Sequence, residues 1–104
     1  MKESKIEQYF VKECKKLGWL PLKFVSPSMN GVPDRIILMP NGRIFFAELK
    51  APGEKPRPLQ RAVHNTIRKY GFSVCIIDSM ESADTYIDVF RLLGGEKKHE
   101  IQPT

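Results

Sequence analysis

The sequence predicts an α/β fold in which a mixed sheet is flanked by helices, with the element order α-β-β-β-α-β-α. Three observations predict it. Three segments carry apolar residues at helical spacing. Two apolar runs flank Pro40-Asn41-Gly42, which is a strong hairpin signal. A further apolar run between the second and third helices indicates a buried strand, and this strand can return parallel to the hairpin by a right-handed crossover.

The three predicted helices each carry an apolar face. The first covers residues 2–17 and ends before Gly18, the second covers 59–70 and ends before Gly71, and the third covers 82–93. The apolar faces of the first and third helices consist of Ile6, Tyr9, Phe10, Cys14 and Leu17, and of Tyr86, Val89, Phe90 and Leu93. We expect these faces to pack on the sheet.

Four strands are predicted, at residues 20–25, Arg35–Met39, Arg43–Leu49 and 73–78. The segment 51–58, with three prolines and a glycine, is predicted as an extended loop. One domain therefore covers 1–93, because 104 residues leave room for a single core, and 94–104 is predicted as a polar C-terminal tail.

Composition narrows the possible classes of function. Apolar runs are too short to span a membrane, and the charged N-terminus lacks the apolar core of a signal peptide. Cys14 and Cys75 are predicted to be buried and unpaired, because no Cys/His cluster suggests zinc or a disulfide framework. The net charge of +5 is compatible with a polyanionic partner but does not establish one.

Alternation along the third strand brings two charged side chains together. Residues two apart on a strand point to the same face, so Glu48 and Lys50 project together and Leu49 points away. A surface ion pair at a strand end is the simplest alternative, because Glu-x-Lys is common by chance.

The hairpin turn decides whether Asp34 joins them. A type I turn with Pro40 at its second position and Asn41 at its third, followed by a left-handed Gly42, makes a three-residue loop. Counting outward from it places Asp34 opposite Glu48 on the same face. A two-residue Asn41-Gly42 turn would instead face Asp34 away. Proline favours the first alternative, because its φ suits the second position of a type I turn.

Opposed carboxylates repel each other, and a divalent cation with oxygen ligands, Mg²⁺ or Mn²⁺, would compensate. The predicted ligands are Asp34, Glu48 and the backbone carbonyl of Leu49. Lys50, beside them, is suited to stabilise charge on a phosphate and to position an attacking water.

The chain resembles the VRR-Nuc family (virus-type replication-repair nucleases) of the PD-(D/E)xK superfamily, whose core is restriction-endonuclease-like. The resemblance runs from about Lys5 to Phe90. The matching stretches are Ser26-Pro27, Gly31-Val32-Pro33-Asp34-Arg35, Phe46-Ala47-Glu48-Leu49-Lys50-Ala51-Pro52, Pro58-Leu59-Gln60 and Gly71-Phe72-Ser73-Val74.

The resemblance implies metal-dependent hydrolysis of DNA. It assigns Asp34 and Glu48 as metal-binding carboxylates, Lys50 as the catalytic lysine and Gln60 as a glutamine near the active site. Glu7 matches a further acidic ligand of the metal, with Glu3 and Glu13 as neighbouring alternatives. For Glu7 and Gln60 the plainer interpretation is an ordinary helix residue.

Four residues are candidates for contacting DNA. They are Lys55, Arg57, Arg61 and His64. The first three lie in or just after the proline-rich loop, where a generic basic surface is the alternative. His64 follows Gln60 by four residues and so shares its helix face, although a surface histidine is the plainer interpretation. Arg35 should point to the face opposite Asp34.

Stand-alone members of the family resemble Holliday-junction resolvases, which implies a homodimer that cuts four-way DNA junctions with two active sites. Flaps, nicks or ordinary duplex are alternative substrates, and a non-catalytic basic DNA-binding module is an alternative class. The expected location is the cytoplasm of a bacterial or phage-infected cell.

Overall fold

The computed structural model describes residues 1–95, and their elements follow the predicted order. These elements are α1 (Glu3–Lys16), β1 (Leu20–Lys23), β2 (Arg35–Met39), β3 (Arg43–Leu49), α2 (Pro58–Lys69), β4 (Ser73–Ile77) and α3 (Met80–Leu93). Of the predicted tail, 94–104, the part from residue 96 onward lies outside the described residues. No helix in the described part of the chain is long and apolar enough to cross a membrane.

The four strands form one mixed sheet in the order β1-β2-β3-β4. β1, β2 and β3 pair antiparallel, and β4 pairs parallel with β3. The segment between β3 and β4 contains α2, as expected for a parallel connection. The predicted fold class is therefore confirmed.

The main core lies between α1, α3 and one face of the sheet. Phe45, at the centre of β3, stacks on Phe90 of α3 with ring centroids 3.9 Å apart and contacts Phe10 of α1 edge-on at 6.4 Å. Ala47 and Leu49 continue the same face of β3 and are also buried. The helical faces toward this core include Cys14, which is unpaired and buried as predicted.

The apolar face of α3 was predicted only in part: Tyr86 and Phe90 pack against the core as expected, whereas the other two predicted residues do not. Val89 and Leu93 are exposed, and the buried apolar positions are Ala83 and Ile87. The helix begins earlier than predicted, at Met80, because the Ser79 hydroxyl accepts a hydrogen bond from the Ser82 backbone. The predicted face did not include Ala83 because alanine is only weakly apolar, yet Ala83 is fully buried.

The hairpin between β2 and β3 has the predicted three-residue loop. Met39 pairs with Arg43, and Arg35 pairs with Ala47, so the register continues to Asp34 opposite Glu48. The turn itself was predicted wrongly in one detail. Asn41 has φ 67° and is left-handed, as is Gly42, whereas a type I turn needs a φ of about −90° at that position. Asparagine tolerates this conformation, so the register is kept.

Candidate active site

Glu48 lies at the end of β3 on the sheet face that α2 covers. Its side chain is buried, with 1% of the residue exposed. The Oε2 atom accepts a hydrogen bond from Gln60 Nε2 at 3.1 Å and lies 3.3 Å from Lys50 Nζ. The alternative of a solvated surface ion pair is therefore wrong, because the carboxylate is inside the protein.

Gln60 joins the strand to the helix. Its Oε1 atom accepts hydrogen bonds from Lys50 Nζ at 3.1 Å and from the backbone amide of Arg57 at 2.9 Å. Arg57 is the residue before α2, so one amide side chain completes the start of the helix and orients both charged groups of the Glu48–Lys50 pair. The structure thus brings together three of the predicted site residues.

Asp34 meets the same strand end from β2. Its Oδ2 atom accepts a hydrogen bond from the backbone amide of Leu49 at 2.8 Å. The next residue points the other way, as predicted. Arg35 donates to Glu7 of α1 at 2.9 Å and to the carbonyl of Pro21 at 2.9 Å.

Burial, and to a lesser extent the charge of a nearby carboxylate, raises the pKa values of both Glu48 and Asp34; that carboxylate is Asp34 for Glu48 and Glu7 for Asp34. Burial is the larger cause at Glu48, and the charge of Asp34 raises its pKa further, against the opposing effect of Lys50. Burial also raises the pKa of Asp34, while the hydrogen bond from Leu49 lowers it. Two poorly solvated carboxylates at one strand end therefore favour a cation between or beside them.

The interpretation of His64 as a surface residue is wrong, and its burial does not favour the predicted contact with DNA, which stays a prediction. The residue is 1% exposed, and its Nε2 atom lies 3.7 Å from Oε1 of Glu48. Burial, and then the charges of Arg68 and Lys50, lower the pKa of His64, which favours a neutral imidazole over an ion pair at this contact. Neither of these two atoms has a hydrogen-bond partner among the described residues. The four-residue spacing from Gln60 was the available signal, because Gln60 faces the sheet and His64 must follow it inward.

The three glutamates of α1 have different surroundings. Glu13 pairs with Lys16 on the helix surface and plays no part here. Glu3 and Glu7 both lie close enough to Asp34 for their charges to interact with it. Glu7 is fixed by Arg35, whereas Glu3 is exposed in the first turn.

Comparisons with known proteins agree with this geometry. No family model matches the chain. It is 46% identical over 81 residues to "Putative nuclease p44" of Acyrthosiphon pisum secondary endosymbiont phage 1, covering 78% of this chain and 87% of that protein. It also superposes on a solved VRR-Nuc domain with a TM-score of 0.78 and 31% identity, over 83% of this chain and 94% of the other. The chain belongs to the VRR-Nuc family. The resemblance seen in the sequence is thereby confirmed.

The basic residues of this VRR-Nuc domain surround the start of α2. Lys55, Arg57 and Arg61 are all exposed. The Arg61 guanidinium donates to the carbonyl of Pro56 at 3.2 Å, which holds it against the loop before the helix. Since the Arg57 amide binds Gln60, at least this part of the basic surface adjoins the carboxylate end of β3.

Asp34 and Glu48 are the residues of this VRR-Nuc domain that could hold a metal ion together. Within residues 1–95 there is no group of three or more His, Cys, Asp and Glu side chains arranged to hold an ion. Mg²⁺ is commonly held by one or two carboxylates, with waters and substrate phosphates as its remaining ligands. Two carboxylates and a backbone carbonyl fit such an ion, and Oε1 of Glu48 is a buried oxygen without a hydrogen-bond partner among the described residues.

Proposed function

We propose that this VRR-Nuc protein is a metal-dependent DNA endonuclease that hydrolyses phosphodiester bonds, most effectively at four-way junctions, as a homodimer. The observation that carries the proposal is the group at the end of β3. Glu48, Lys50 and Gln60 are linked by hydrogen bonds, and the register sets Asp34 opposite Glu48. The similarity to a phage protein named as a nuclease supports the same activity.

A divalent cation, Mg²⁺ or Mn²⁺, would be held by Asp34, Glu48 and the carbonyl of Leu49. When bound, it supplies charge neutralisation at the phosphate and lowers the pKa of water. The donor set consists of oxygen atoms, which suits these hard ions better than zinc.

The chain's own side chains supply the remaining chemistry. Lys50, whose side chain is 13% exposed, stands where solvent reaches the site and can hold a phosphate oxygen or an attacking water. Gln60 restricts the position of that ammonium and of the Glu48 carboxylate at once. Positions fixed before substrate arrives reduce the entropy lost in reaching the transition state.

The first experiment compares a labelled four-way junction, a flap and plain duplex with Mg²⁺, Mn²⁺ or EDTA. We expect metal-dependent cleavage, fastest on the junction. Equal cleavage of all three substrates would exclude junction selectivity and favour the flap, nick or duplex alternatives. Binding without cleavage under every metal condition would favour the non-catalytic module instead.

Matched lysine variants test the site. Lys50→Ala should abolish cleavage and leave junction binding nearly unchanged, whereas Lys12→Ala, an exposed lysine of α1, should change neither. Full activity of Lys50→Ala would show that the site is assigned wrongly. Sedimentation of the wild-type protein as a monomer, with or without DNA, would exclude the dimer.

The basic residues before and within α2 are proposed to bind the DNA backbone. Removal of one phosphate contact should reduce the slope of the logarithm of the DNA-binding constant against the logarithm of the salt concentration by about 0.9. We expect this for Lys55→Ala, Arg57→Ala and Arg61→Ala. An unchanged slope in all three variants would remove the basic loop from the DNA interface.

A further inference from the structure

A second feature lies on the same sheet face as Glu48. It is a cleft of about 290 Å³ whose floor is built from Phe24, Phe46 and Phe72, here called the aromatic cleft. The ring of Phe46 is central, with its centroid 5.6 Å from that of Phe24 and 5.9 Å from that of Phe72. Its volume is close to the lower end of small-molecule sites, roughly 300–1,000 Å³, and so suits one planar group.

The aromatic cleft is open to solvent and lies outside the main core. Tyr70 is 79% exposed, Met29 47% and Phe72 43%, and all three line it. A cluster of exposed rings beside a polar site indicates a surface used for binding, because isolated exposed apolar residues do not form such a concave group. The hydroxyls of Ser26 and Ser28, 3.3 Å apart, add polar atoms to the lining.

Two elements connect this cleft to the carboxylate. Phe46 precedes Glu48 by two residues on β3, a distance of about 7 Å along a strand. On α2, Gln60 and His64 face Glu48, and Ile67, seven residues beyond Gln60, lines the cleft, about 10 Å along the helix. These distances correspond to two to three steps of stacked DNA at about 3.4 Å each.

We propose that the aromatic cleft binds one unpaired nucleobase of the DNA, two to three nucleotides from the bond that is cut. This inference rests on the proposed nuclease function. Every base has a π-face that stacks on aromatic rings, so the cleft would accept any base. Serine hydroxyls both donate and accept hydrogen bonds, which suits the polar edge of a base without selecting its identity.

Charge supports a nucleotide as the occupant. Arg68 and Lys69, in the last turn of α2, lie between the lining residues Ile67 and Tyr70 and bring positive charge to this end of the helix. A base in continuous duplex is held by pairing and stacking, whereas a base at a branch or gap enters a pocket at lower cost. The cleft therefore provides selection for branched DNA within a single subunit.

The test measures binding in EDTA, so cleavage plays no part. Three labelled DNAs are compared: a branched DNA with one unpaired base at the branch point, the same DNA with an abasic residue there, and paired duplex. Wild-type protein should bind the first about 5- to 150-fold more tightly than the second, the factor expected for one base stacked on aromatic side chains. Tyr70→Ala should remove most of this difference, and Tyr70→Phe should keep it.

Leu92→Ala, an exposed leucine of α3, is the matched control and should change none of the three affinities. Equal wild-type affinity for the base-containing and abasic DNAs would overturn the proposal. So would an equal loss of affinity for all three DNAs in Tyr70→Ala. If Tyr70→Ala altered only the sedimentation of the free protein, the cleft would be an interface with a second copy and the proposal would fall. Base selectivity in EDTA without cleavage in any metal would contradict the nuclease function and leave the cleft assignment standing.

Discussion

Replacing Glu48 by glutamine should make the metal-free protein more stable while removing its activity. The change keeps the shape of the side chain and removes its charge. In the wild type, Oε1 of Glu48 and Nε2 of His64 face each other 3.7 Å apart, each buried without a hydrogen-bond partner among the described residues. The amide of Glu48→Gln can donate to the neutral imidazole, and its carbonyl can still accept from Gln60.

The change in the free energy of unfolding is the sum of opposing contributions. An unpartnered buried polar atom costs about 1–3 kcal/mol, which the amide recovers at the contact with His64. Repulsion from Asp34 also disappears, whereas the contact with Lys50 becomes weaker, by about 1 kcal/mol, because a charged acceptor binds more strongly than a neutral one. We expect a net gain of about 1 kcal/mol in the free energy of unfolding, which for a domain of this size raises Tm by about 4–8 °C.

The assay is thermal unfolding in EDTA and at increasing Mn²⁺. Metal that binds only the folded state stabilises the wild type by about 2.7 kcal/mol at one hundred times Kd, and Glu48→Gln should lose this gain. Glu13→Gln, which changes a carboxylate on the surface of α1, should behave as the wild type throughout. A Glu48→Gln protein less stable than the wild type in EDTA, or equally stabilised by Mn²⁺, would refute the reasoning.

Three further predictions concern the surroundings of the site. Gln60→Ala should lower the single-turnover cleavage rate about 10- to 100-fold, because Lys50 and Glu48 lose their shared partner; an unchanged rate would contradict that role. Glu7→Gln should weaken Mn²⁺ binding in calorimetry more than Glu3→Gln, because an ion pair holds Glu7 in place. The reverse order would make Glu3, and not Glu7, the further acidic ligand of the metal. Gly31→Ala should destabilise the fold by about 2–4 kcal/mol in urea, since φ is 87° and the new methyl would lie 3.1 Å from a side chain of α2. Gly18→Ala, with φ 76° and open space, should cost only about 1–2 kcal/mol, and equal costs would exclude the contact.

The sequence was sufficient to predict how the charged residues meet, because that depends on local rules. Strand alternation and the length of one loop fix the side on which each residue lies. Pro40 favoured three loop residues over two, and the observed pairing of Met39 with Arg43 agrees. The predicted register is correct although the conformation of Asn41 was predicted wrongly, since register depends on the number of loop residues more than on their dihedral angles.

Other features could not be predicted, because they depend on packing between distant segments. The spacing from Gln60 indicates which way His64 faces, but its complete burial is decided by the contact with Glu48 of β3, which the sequence of this mostly exposed helix does not show. The aromatic cleft is another such case. Phe24, Phe46 and Phe72 come from three separate strands or strand ends, and nothing in their local sequence indicates that their rings meet.

The proposed catalytic role of Glu48 requires a buried charge, and a buried charge lowers the stability of the fold. Glu48 lies on the strand whose opposite face, Phe45, Ala47 and Leu49, contributes to the main core, so the charge cannot move outward without disturbing that core. A small domain has a total stability of only about 5–15 kcal/mol, and one unpartnered buried oxygen is a substantial part of it. Gln60 lessens this cost on one carboxylate oxygen and leaves the other unsatisfied. The oxygen that burial leaves unpartnered is therefore an atom that a cation would stabilise, and the affinity for metal that we propose at this strand end would follow from how the sheet is packed.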